Sequence, residues 1–378
     1  MQRHTASAVA EVIGNIDLLW EILIRLPLKP LIQSKCVSKR WLTLISDQRF
    51  RDAHSIHQHR RYPTSVIFSN VYDESQILSF TTATTVPTLR SLELNFPDEN
   101  EEVTVVRSCN GLLLCRGYGP NYFICNPISG NFTTITPWRP ESKSIDIYLA
   151  FDPCMSPDYK VISVAQLNSP LHWVFNVYSF KTGLQIGPDV PIEIPFELEA
   201  ADGVYCNGAI YWWWGSDFSV YFDVDTQTLK NFPMPLSDLE WENQCIAHFG
   251  QSAGHLYLIL CEEPPNFEFE VLPLYDIFEL KEDLSGWLLK YRVDFNPLRG
   301  GFPEILWYWH DLRFYIVRTV KDEKLSLSVL VLDIDKDVGL LYDPVDKAST
   351  KLCDYETVNS PECVYNWGFF SILKTLLQ

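Results

Sequence analysis

The spacing of hydrophobic and polar residues changes near residue 62 and divides the chain into two parts. Before that point, apolar residues recur at i, i+3, i+4 and i+7, which predicts a short helix with one apolar face. These residues are Leu19, Ile22, Leu23 and Leu26. Asn15 is placed to cap the start of this helix, and Pro27 is expected to end it. The spacing returns after Pro30, so the sequence predicts about three short helices in this part.

The second part, from about residue 62 onward, changes to short β-branched and aromatic runs broken by Asn, Asp, Gly and Pro. This pattern predicts an all-β domain. Strand, turn and strand recur as hairpins about 45 to 55 residues apart, which is the size of a propeller blade. At that spacing the domain holds about six blades, so a six-bladed β-propeller is predicted, with seven blades as the nearest alternative.

The helical part resembles a known family. The run LLWEILIRLPLKPLIQSKCVSKRW, residues 18–41, is similar to a plant-type F-box in the order of its helix, its Leu-Pro step and its Val-Ser-Lys-x-Trp block. The resemblance implies a surface that binds a Skp-family adaptor of a cullin-RING ubiquitin ligase. Its contacts would come from Leu18, Leu19, Ile22, Leu26, Pro27, Leu31, Val37 and Trp41. F-boxes commonly open with a Leu-Pro pair, and here Gly14 and Asn15 occupy those positions.

The β part resembles the F-box-associated, kelch-like propeller domain of plant F-box proteins. The similarity lies in SCNGLLLC at residues 108–115, ICNPISG at 124–130, FDPCMSPDYKVI, and GVYCNGAIYWWW at 203–214, in the family's order. The double glycine that kelch blades repeat is absent, apart from Gly300-Gly301. Gly111 and Gly208 are expected to be turn glycines with positive φ. The predicted organisation is a flexible tail at 1–12, the F-box at 13–54, a linker at 55–62 and the propeller at 63–378.

Charge separates the same two parts. Residues 1–61 hold ten Lys or Arg against five Asp or Glu, a balance of +5, which leaves −23 for the remainder because the whole chain carries −18. A basic F-box suits the acidic Skp adaptors through electrostatic steering. The acidic remainder argues against nucleic acid and anionic membrane as ligands, and it favours a target protein with a basic patch.

Hydropathy and cysteine usage indicate the compartment. No apolar run reaches the roughly eighteen residues that span a bilayer, and the polar N-terminus lacks a signal-peptide hydrophobic region. The ten cysteines include no C-x-x-C pair and lie in hydrophobic stretches, which indicates buried, reduced thiols. We therefore expect a cytoplasmic or nuclear protein.

The search for catalytic motifs argues against an enzyme, and no cofactor is expected. Nucleophile-elbow, P-loop, dinucleotide-binding and H-E-x-x-H motifs are absent. A metal role for His54, His57 and His59 is less favoured than an interdomain linker, because no cysteine accompanies them. Several aspartates fall in predicted turns, where Asp stabilises the backbone, and acid–base catalysis is the less favoured interpretation. They are Asp152, Asp223, Asp225, Asp333 and Asp335.

Two aromatic groups, residues 211–214 and 307–309, are expected to pack mainly between blades, the alternative being a recognition face. Target contacts are expected in the loop-rich segments Pro97 to Glu102, Arg139 to Lys143 and Glu262 to Glu270. The resemblance implies the substrate-recognition subunit of an SCF-type ligase, acting through proximity. The alternatives are an F-box protein that binds or sequesters outside a ligase and, less favoured, a propeller hydrolase or sugar-binding protein.

Overall fold

The computed structural model describes a helical N-terminal module and a set of antiparallel sheets. The described residues are 15–26, 28–47, 49–50, 53–54, 65–70, 76–79, 88–91, 103–117, 120–127, 130–136, 144–152, 156, 158–167, 172–187, 192–193, 203–213, 218–236, 244–252, 254–262, 272–303, 312–321, 324–333, 338–354 and 367–372. The predicted tail at 1–12 and the whole of the predicted linker at 55–62 lie outside them.

Within its described residues, the helical module contains three short helices, α1 (Ile16–Leu23), α2 (Leu28–Ser34) and α3 (Lys39–Ser46). Phe50 and His54 follow in further helical backbone. α1 ends at Leu23, four residues before Pro27, the residue expected to end it. The last turn is closed by Ile24, which donates its N–H to Trp20 O. The expectation of a few short helices before an all-β domain is confirmed.

The strands form six antiparallel sheets in the described residues. Sheet 1 comprises β1 (Ser65–Asn70), β2 (Gln76–Ser79), β3 (Thr88–Ser91) and β25 (Trp367–Ile372). Sheet 2 comprises β4 (Thr104–Cys109), β5 (Leu112–Arg116), β6 (Tyr122–Cys125) and β7 (Phe132–Ile135). Sheet 3 comprises β8 (Ser144–Ala150), β9 (Lys160–Gln166), β10 (His172–Ser179), β11 (Gln185–Ile186) and β12 (Ile192–Glu193).

The chain continues in the same way through the remaining sheets. Sheet 4 comprises β13 (Val204–Cys206), β14 (Ala209–Trp212), β15 (Phe218–Asp223) and β16 (Thr228–Pro233). Sheet 5 comprises β17 (Gln244–Ser252), β18 (His255–Glu262), β19 (Tyr275–Leu280) and β20 (Trp287–Val293). Sheet 6 comprises β21 (Leu312–Lys321), β22 (Lys324–Asp333), β23 (Val338–Asp343) and β24 (Ala348–Asp354).

The sheets are arranged as a β-propeller. The first strands of successive sheets contact one another, β4 with β8, β8 with β13, β13 with β17 and β17 with β21, and β25 of sheet 1 contacts β4. Side chains are described for sheets 2 to 6, and each pair of neighbours among these five shares a hydrophobic core. Sheet 1 is described by its backbone pairing, in which β25 joins β1 over six residue pairs.

Each sheet that packs between two neighbouring sheets is covered on both faces. This explains why some strands are apolar at successive positions. In β5, Leu114 faces the core shared with sheet 3, whereas Leu113 and Cys115 face the opposite core. Alternate residues of a strand point to opposite faces, so a strand covered on both faces must be apolar at successive positions. The LLLC run is therefore the signature of a strand inside a propeller blade.

Candidate protein-binding surface of the helical module

The helical module has its own compact core. The core consists of Leu19, Leu23, Leu31, Leu44, Ile45 and Phe50. Trp20 packs edge-to-face on Phe50, with ring centroids 4.9 Å apart, and extends the core from α1 to the helical backbone after α3. These contacts fix the relative position of the short helices, none of which is long enough to be stable by itself.

Side-chain caps set the starts of α1 and α3. Asn15 Oδ1 accepts hydrogen bonds from the backbone N–H groups of Asp17, at 2.9 Å, and Leu18, at 3.4 Å, so the predicted N-cap is confirmed. Ser38 Oγ accepts from Trp41 N at 3.2 Å and caps α3 in the same way. Asn15 therefore caps α1 from the position where F-boxes commonly carry proline.

A second apolar surface of the module points to solvent. Leu18 and Ile22 are each 45% exposed, and they lie one turn apart on α1. Val37, between α2 and α3, is 62% exposed. Ile16 and Leu42 are 48% and 46% exposed. Exposed apolar side chains grouped on so small a unit are typical of a protein-binding surface.

The other residues selected from the sequence lie elsewhere. Leu19 and Leu31 are 1% and 2% exposed, because they fill the module's own core. Direct contact of these two side chains with a partner is therefore not supported by this geometry. Leu26 and Trp41 are half-buried against the same core, and Pro27 lies outside the described residues.

His54 contacts Leu26 and Phe50 of the helical module. It does not belong to a metal site among the described residues. Its Nε2 is 2.7 Å from the carbonyl oxygen of Leu26, to which it donates, and its ring stacks on Phe50 at 6.0 Å. His57 and His59 lie outside the described residues. No group of three or more potential metal ligands occurs among the residues that the structure describes.

The aromatic residues of β14 are core residues. Tyr211 is 6% exposed and packs in the core between sheets 4 and 5, whereas Trp212 is 2% exposed and packs between sheets 3 and 4. Trp213 is half-buried against the first of these cores. Packing between blades is therefore confirmed for these three. Trp214 and the group at 307–309 lie outside the described residues.

The aspartates of the strand turns stabilise the backbone. Asp223 Oδ1 accepts from the N–H groups of Asp225, at 3.2 Å, and Thr226, at 2.9 Å. Burial alone would raise the pKa of Asp223, but these turn hydrogen bonds and the Lys230 ammonium, 3.0 Å from Oδ2, lower it overall. The expected structural role of Asp223 is confirmed; Asp335 lies outside the described residues.

A cavity of about 500 Å³ opens beside this turn, between sheets 4 and 5. Asp223 and Asp225 line it, but Asp223 is paired with Lys230 and Asp225 with Lys160 of sheet 3. Both carboxylates are therefore engaged by the protein's own cations. These two aspartates are therefore not an acid–base pair that is poised for catalysis.

Most of the propeller cysteines whose side chains the structure describes are buried thiols, as predicted. Cys109, Cys115, Cys125, Cys206 and Cys261 are buried and reduced. Burial raises the pKa of Cys125 to about 11 and that of Cys206 to about 12. Thiols with such pKa values carry almost no thiolate at neutral pH, which argues against nucleophilic catalysis by these two residues.

No helix in the described part of the chain is long and apolar enough to cross a membrane. Of the three segments expected to contact a target, only Glu262 is described; it ends β18 and is exposed. The target-binding surface therefore remains a prediction.

Comparison with known proteins identifies the family. The model of the F-box domain matches residues 15–52, and the model described as an F-box associated beta propeller domain matches residues 57–262, which is more than half of the chain. The protein belongs to the family of F-box proteins that carry an F-box associated β-propeller domain, and the predicted family is confirmed.

Individual relatives agree with this assignment. The Arabidopsis thaliana F-box protein At5g07610 is 31% identical over 394 residues, covering 94% of this chain and 90% of the relative. The putative F-box protein At5g62660 of the same plant is 26% identical, covering 83% and 84%. Among solved structures, an oligogalacturonate lyase in complex with manganese gives a TM-score of 0.43 at 8% identity, covering 78% of this chain and 75% of that one. That similarity is too low to bear on function.

Proposed function

We propose that this protein is the substrate-recognition subunit of an SCF-type E3 ubiquitin ligase. Its F-box binds a Skp-family adaptor, and through it a cullin-RING ligase, while its propeller binds a target protein. The family assignment supports this function, because F-box domains generally bind Skp adaptors. The subunit itself is non-catalytic and works in the cytoplasm or nucleus.

The observation that carries the proposal is the division of α1 into two apolar faces. Leu19 and Leu23 are buried in the module, whereas Leu18 and Ile22 remain 45% exposed. Complete burial of the exposed parts of these two side chains against a partner would contribute on the order of 2 kcal/mol. A module that needed α1 only for its own core would gain nothing from the second apolar face.

Charge supports the same partner. The +5 balance of residues 1–61 attracts an acidic adaptor and accelerates its association, although it adds less to the affinity. The remaining −23 suits a target protein with a basic patch. Simultaneous binding of adaptor and target gives the target a high effective concentration near the conjugating enzyme, so no side-chain chemistry is required from this chain.

For the propeller, we propose that sheet 1 is a sixth blade beside the five whose side chains are described. The support is the pairing of β25, near the end of the chain, with β1, near the beginning of the β part. Such pairing joins the two ends of the domain within one sheet. It would also cover a strand edge that could otherwise pair with another molecule.

The test is co-purification of the full chain with a plant Skp adaptor. The variant Leu18→Asp/Ile22→Asp places charge on the exposed face of α1, and we expect it to lose the adaptor. The matched control is Leu288→Asp/Leu289→Asp on β20, because those leucines are similarly exposed, at 45% and 50%. Circular dichroism should show that both variants keep the wild-type fold.

Equal adaptor binding by the α1 variant and the control would contradict the assigned surface. Absence of binding by the wild type, where another F-box protein binds, would contradict the ligase function. That second result would favour an F-box protein that acts outside a ligase.

A further inference from the structure

Two cysteines face each other across neighbouring strands of sheet 5. Cys245 of β17 is the direct pairing partner of Cys261 of β18. Both side chains belong to the core between sheets 5 and 6, so both point to the same face of the sheet. The Cys261 thiol lies 3.8 Å from the carbonyl oxygen of Cys245 and is directed toward the opposite strand.

The backbone spacing at such a position fits a disulfide. Directly opposed residues of antiparallel strands have Cα atoms about 4.5 to 5.5 Å apart. Disulfides span Cα distances of about 4.4 to 6.8 Å. A bond between Cys245 and Cys261 therefore requires a side-chain rotation and no movement of the strands.

Access and position distinguish this pair from the other buried thiols. Cys245 is half-buried and Cys261 is 4% exposed, and both are reduced in the structure. β17 and β18 form one hairpin, whose outermost residue pair at the open end is Gln244 and Glu262. Cys245 and Cys261 are the next pair inward. The other end of the hairpin is closed by the chain itself between β17 and β18. A covalent bond at the open end would therefore hold both ends of this strand pair.

A second pair of cysteines on adjacent strands lacks this geometry. Cys125 of β6 pairs directly with Leu113 of β5, whereas Cys115 pairs with Phe123. Cys115 and Cys125 are thus diagonal neighbours, whose Cα atoms are about 7 to 8 Å apart. That distance exceeds the usual limit for a disulfide, so this pair is a natural control.

We propose that Cys245 and Cys261 are a modification site at which a peroxide oxidises the folded propeller to a reversible cross-strand disulfide. Hydrogen peroxide oxidises the more accessible Cys245 thiol to a sulfenic acid and releases water. The Cys261 sulfur then attacks the Cys245 sulfur, the S–S bond forms, the S–O bond breaks, and a second water leaves with the thiol proton. Two electrons pass from the two thiols to the peroxide, so atoms and electrons balance.

The modification would tie the innermost strand of sheet 5 to its neighbour. β17 also contacts β21 of sheet 6, so the bond lies beside a contact between blades. A dithiol reductant returns the pair to its thiols by exchange. The site is independent of the adaptor-binding surface of the helical module.

The test uses the full chain, first reduced and then exposed to a limited dose of hydrogen peroxide. Remaining thiols are alkylated, and the protein is digested without reductant for mass spectrometry. We expect a Cys245–Cys261 linked peptide whose mass is about 2 Da below the sum of its reduced parts, for the two hydrogens lost. Treatment with dithiothreitol before alkylation should abolish the linked peptide. Cys115 and Cys125 should be recovered as alkylated cysteines that are not linked to each other.

Cys36, which is exposed, reports in the same sample that the oxidant reached the protein. Oxidation of Cys36 while Cys245 and Cys261 are alkylated separately would overturn the proposal. Linkage of Cys245 to any other cysteine would overturn it as well. The variants Cys245→Ser and Cys261→Ser should each lose the linked peptide, and the half-buried position of Cys245 makes the first of these substitutions the milder one.

Discussion

The indole N–H of Trp212 donates a 3.0 Å hydrogen bond to the hydroxyl of Tyr148, and this bond joins sheets 3 and 4 inside the propeller. The two rings pack edge-to-face with centroids 5.4 Å apart. Tyr148 donates in turn to Asp146 at 3.1 Å, and Asp146 accepts from Arg107 of sheet 2 at 2.7 Å. A continuous polar chain therefore crosses three blades and satisfies the buried groups within it.

The first prediction concerns the hydroxyl of Tyr148. The substitution Tyr148→Phe keeps the ring but leaves the Trp212 N–H without its acceptor, in a site that is 2% exposed. An unsatisfied buried donor costs about 1–3 kcal/mol, so we expect the unfolding free energy to fall by that amount. Urea unfolding followed by tryptophan fluorescence measures it. An equal loss for Tyr291→Phe, on the outer strand β20, would contradict a special role for this hydroxyl.

The second prediction concerns the Asn-Gly turn of sheet 4. Asn207 has a φ of 46° and donates through its side-chain amide to Gly254 O of sheet 5 at 2.8 Å. Asn207→Ala loses this bond and strains the left-handed backbone, whereas Asn207→Gly loses only the bond. We expect the glycine variant to be destabilised by about 1 kcal/mol and the alanine variant by about 1 kcal/mol more.

The measurement for this pair is again urea unfolding, with both variants compared in one buffer. Equal stability of the glycine variant and the wild type would show that the bond between the two sheets contributes nothing. An alanine variant as stable as the glycine variant would show that the turn relaxes out of the left-handed region.

The third prediction is a loss of stability in mild acid. Burial lowers the pKa of His248 to about 4, because its ring packs between Gly250 and Tyr315, whose ring centroid is 5.2 Å away. The pKa of an unfolded histidine is about 6.5, so the unfolded chain takes up the proton first. The contribution of neutral His248 is complete above pH 6.5 and is lost as the pH falls through about 4.

His248→Gln removes this titration and should flatten the stability profile of the propeller between pH 6.5 and 4. The slopes of unfolding free energy against pH should differ between the wild type and the variant by no more than about 1.4 kcal/mol per pH unit, which is the limit for one proton. Thermal or urea unfolding at several pH values measures both proteins. Parallel profiles for the wild type and the variant would contradict the burial of a neutral ring at this position.

The turns of the propeller illustrate what the sequence can predict. The sequence predicts positive φ at Gly111 and Gly208, and their φ values are 98° and 85°. The residues before them, Asn110 and Asn207, also have positive φ, and their side chains donate to carbonyls of the next sheet. Local sequence indicates a tight turn, but it does not show which neighbouring blade the turn side chain will reach.

The adaptor-binding face shows a different limit. Residues 16–24 are apolar nearly all round the helix, so the 3.6-residue period cannot tell which side meets the module's own core. The period grouped Leu19 with Ile22, whereas the structure buries Leu19 and leaves Ile22 45% exposed. Only the packing of α3 and Phe50 against one side of α1 resolves the two faces. Leu18 follows from the family resemblance and not from this period.

The fourth prediction uses two neighbouring residues of α1 that have opposite environments. Leu23 is 0% exposed, so Leu23→Asp places an unpaired charge in the core of the module, and we expect the helices to unfold. Ile22→Asp places the same charge on a side chain that already reaches solvent, and the module should stay folded. Limited proteolysis of the N-terminal module separates the outcomes, because an unfolded module is cleaved while the propeller persists.

This contrast also decides which substitution can test adaptor binding. Loss of binding in a variant of Leu19 or Leu23 would follow from unfolding alone, since both side chains fill the core. Loss of binding in Ile22→Asp, with unchanged resistance to proteolysis, can come only from the exposed face. Equal sensitivity of Ile22→Asp and Leu23→Asp to proteolysis would show that Ile22 belongs to the core, and the adaptor-binding face would then have to lie elsewhere on the module.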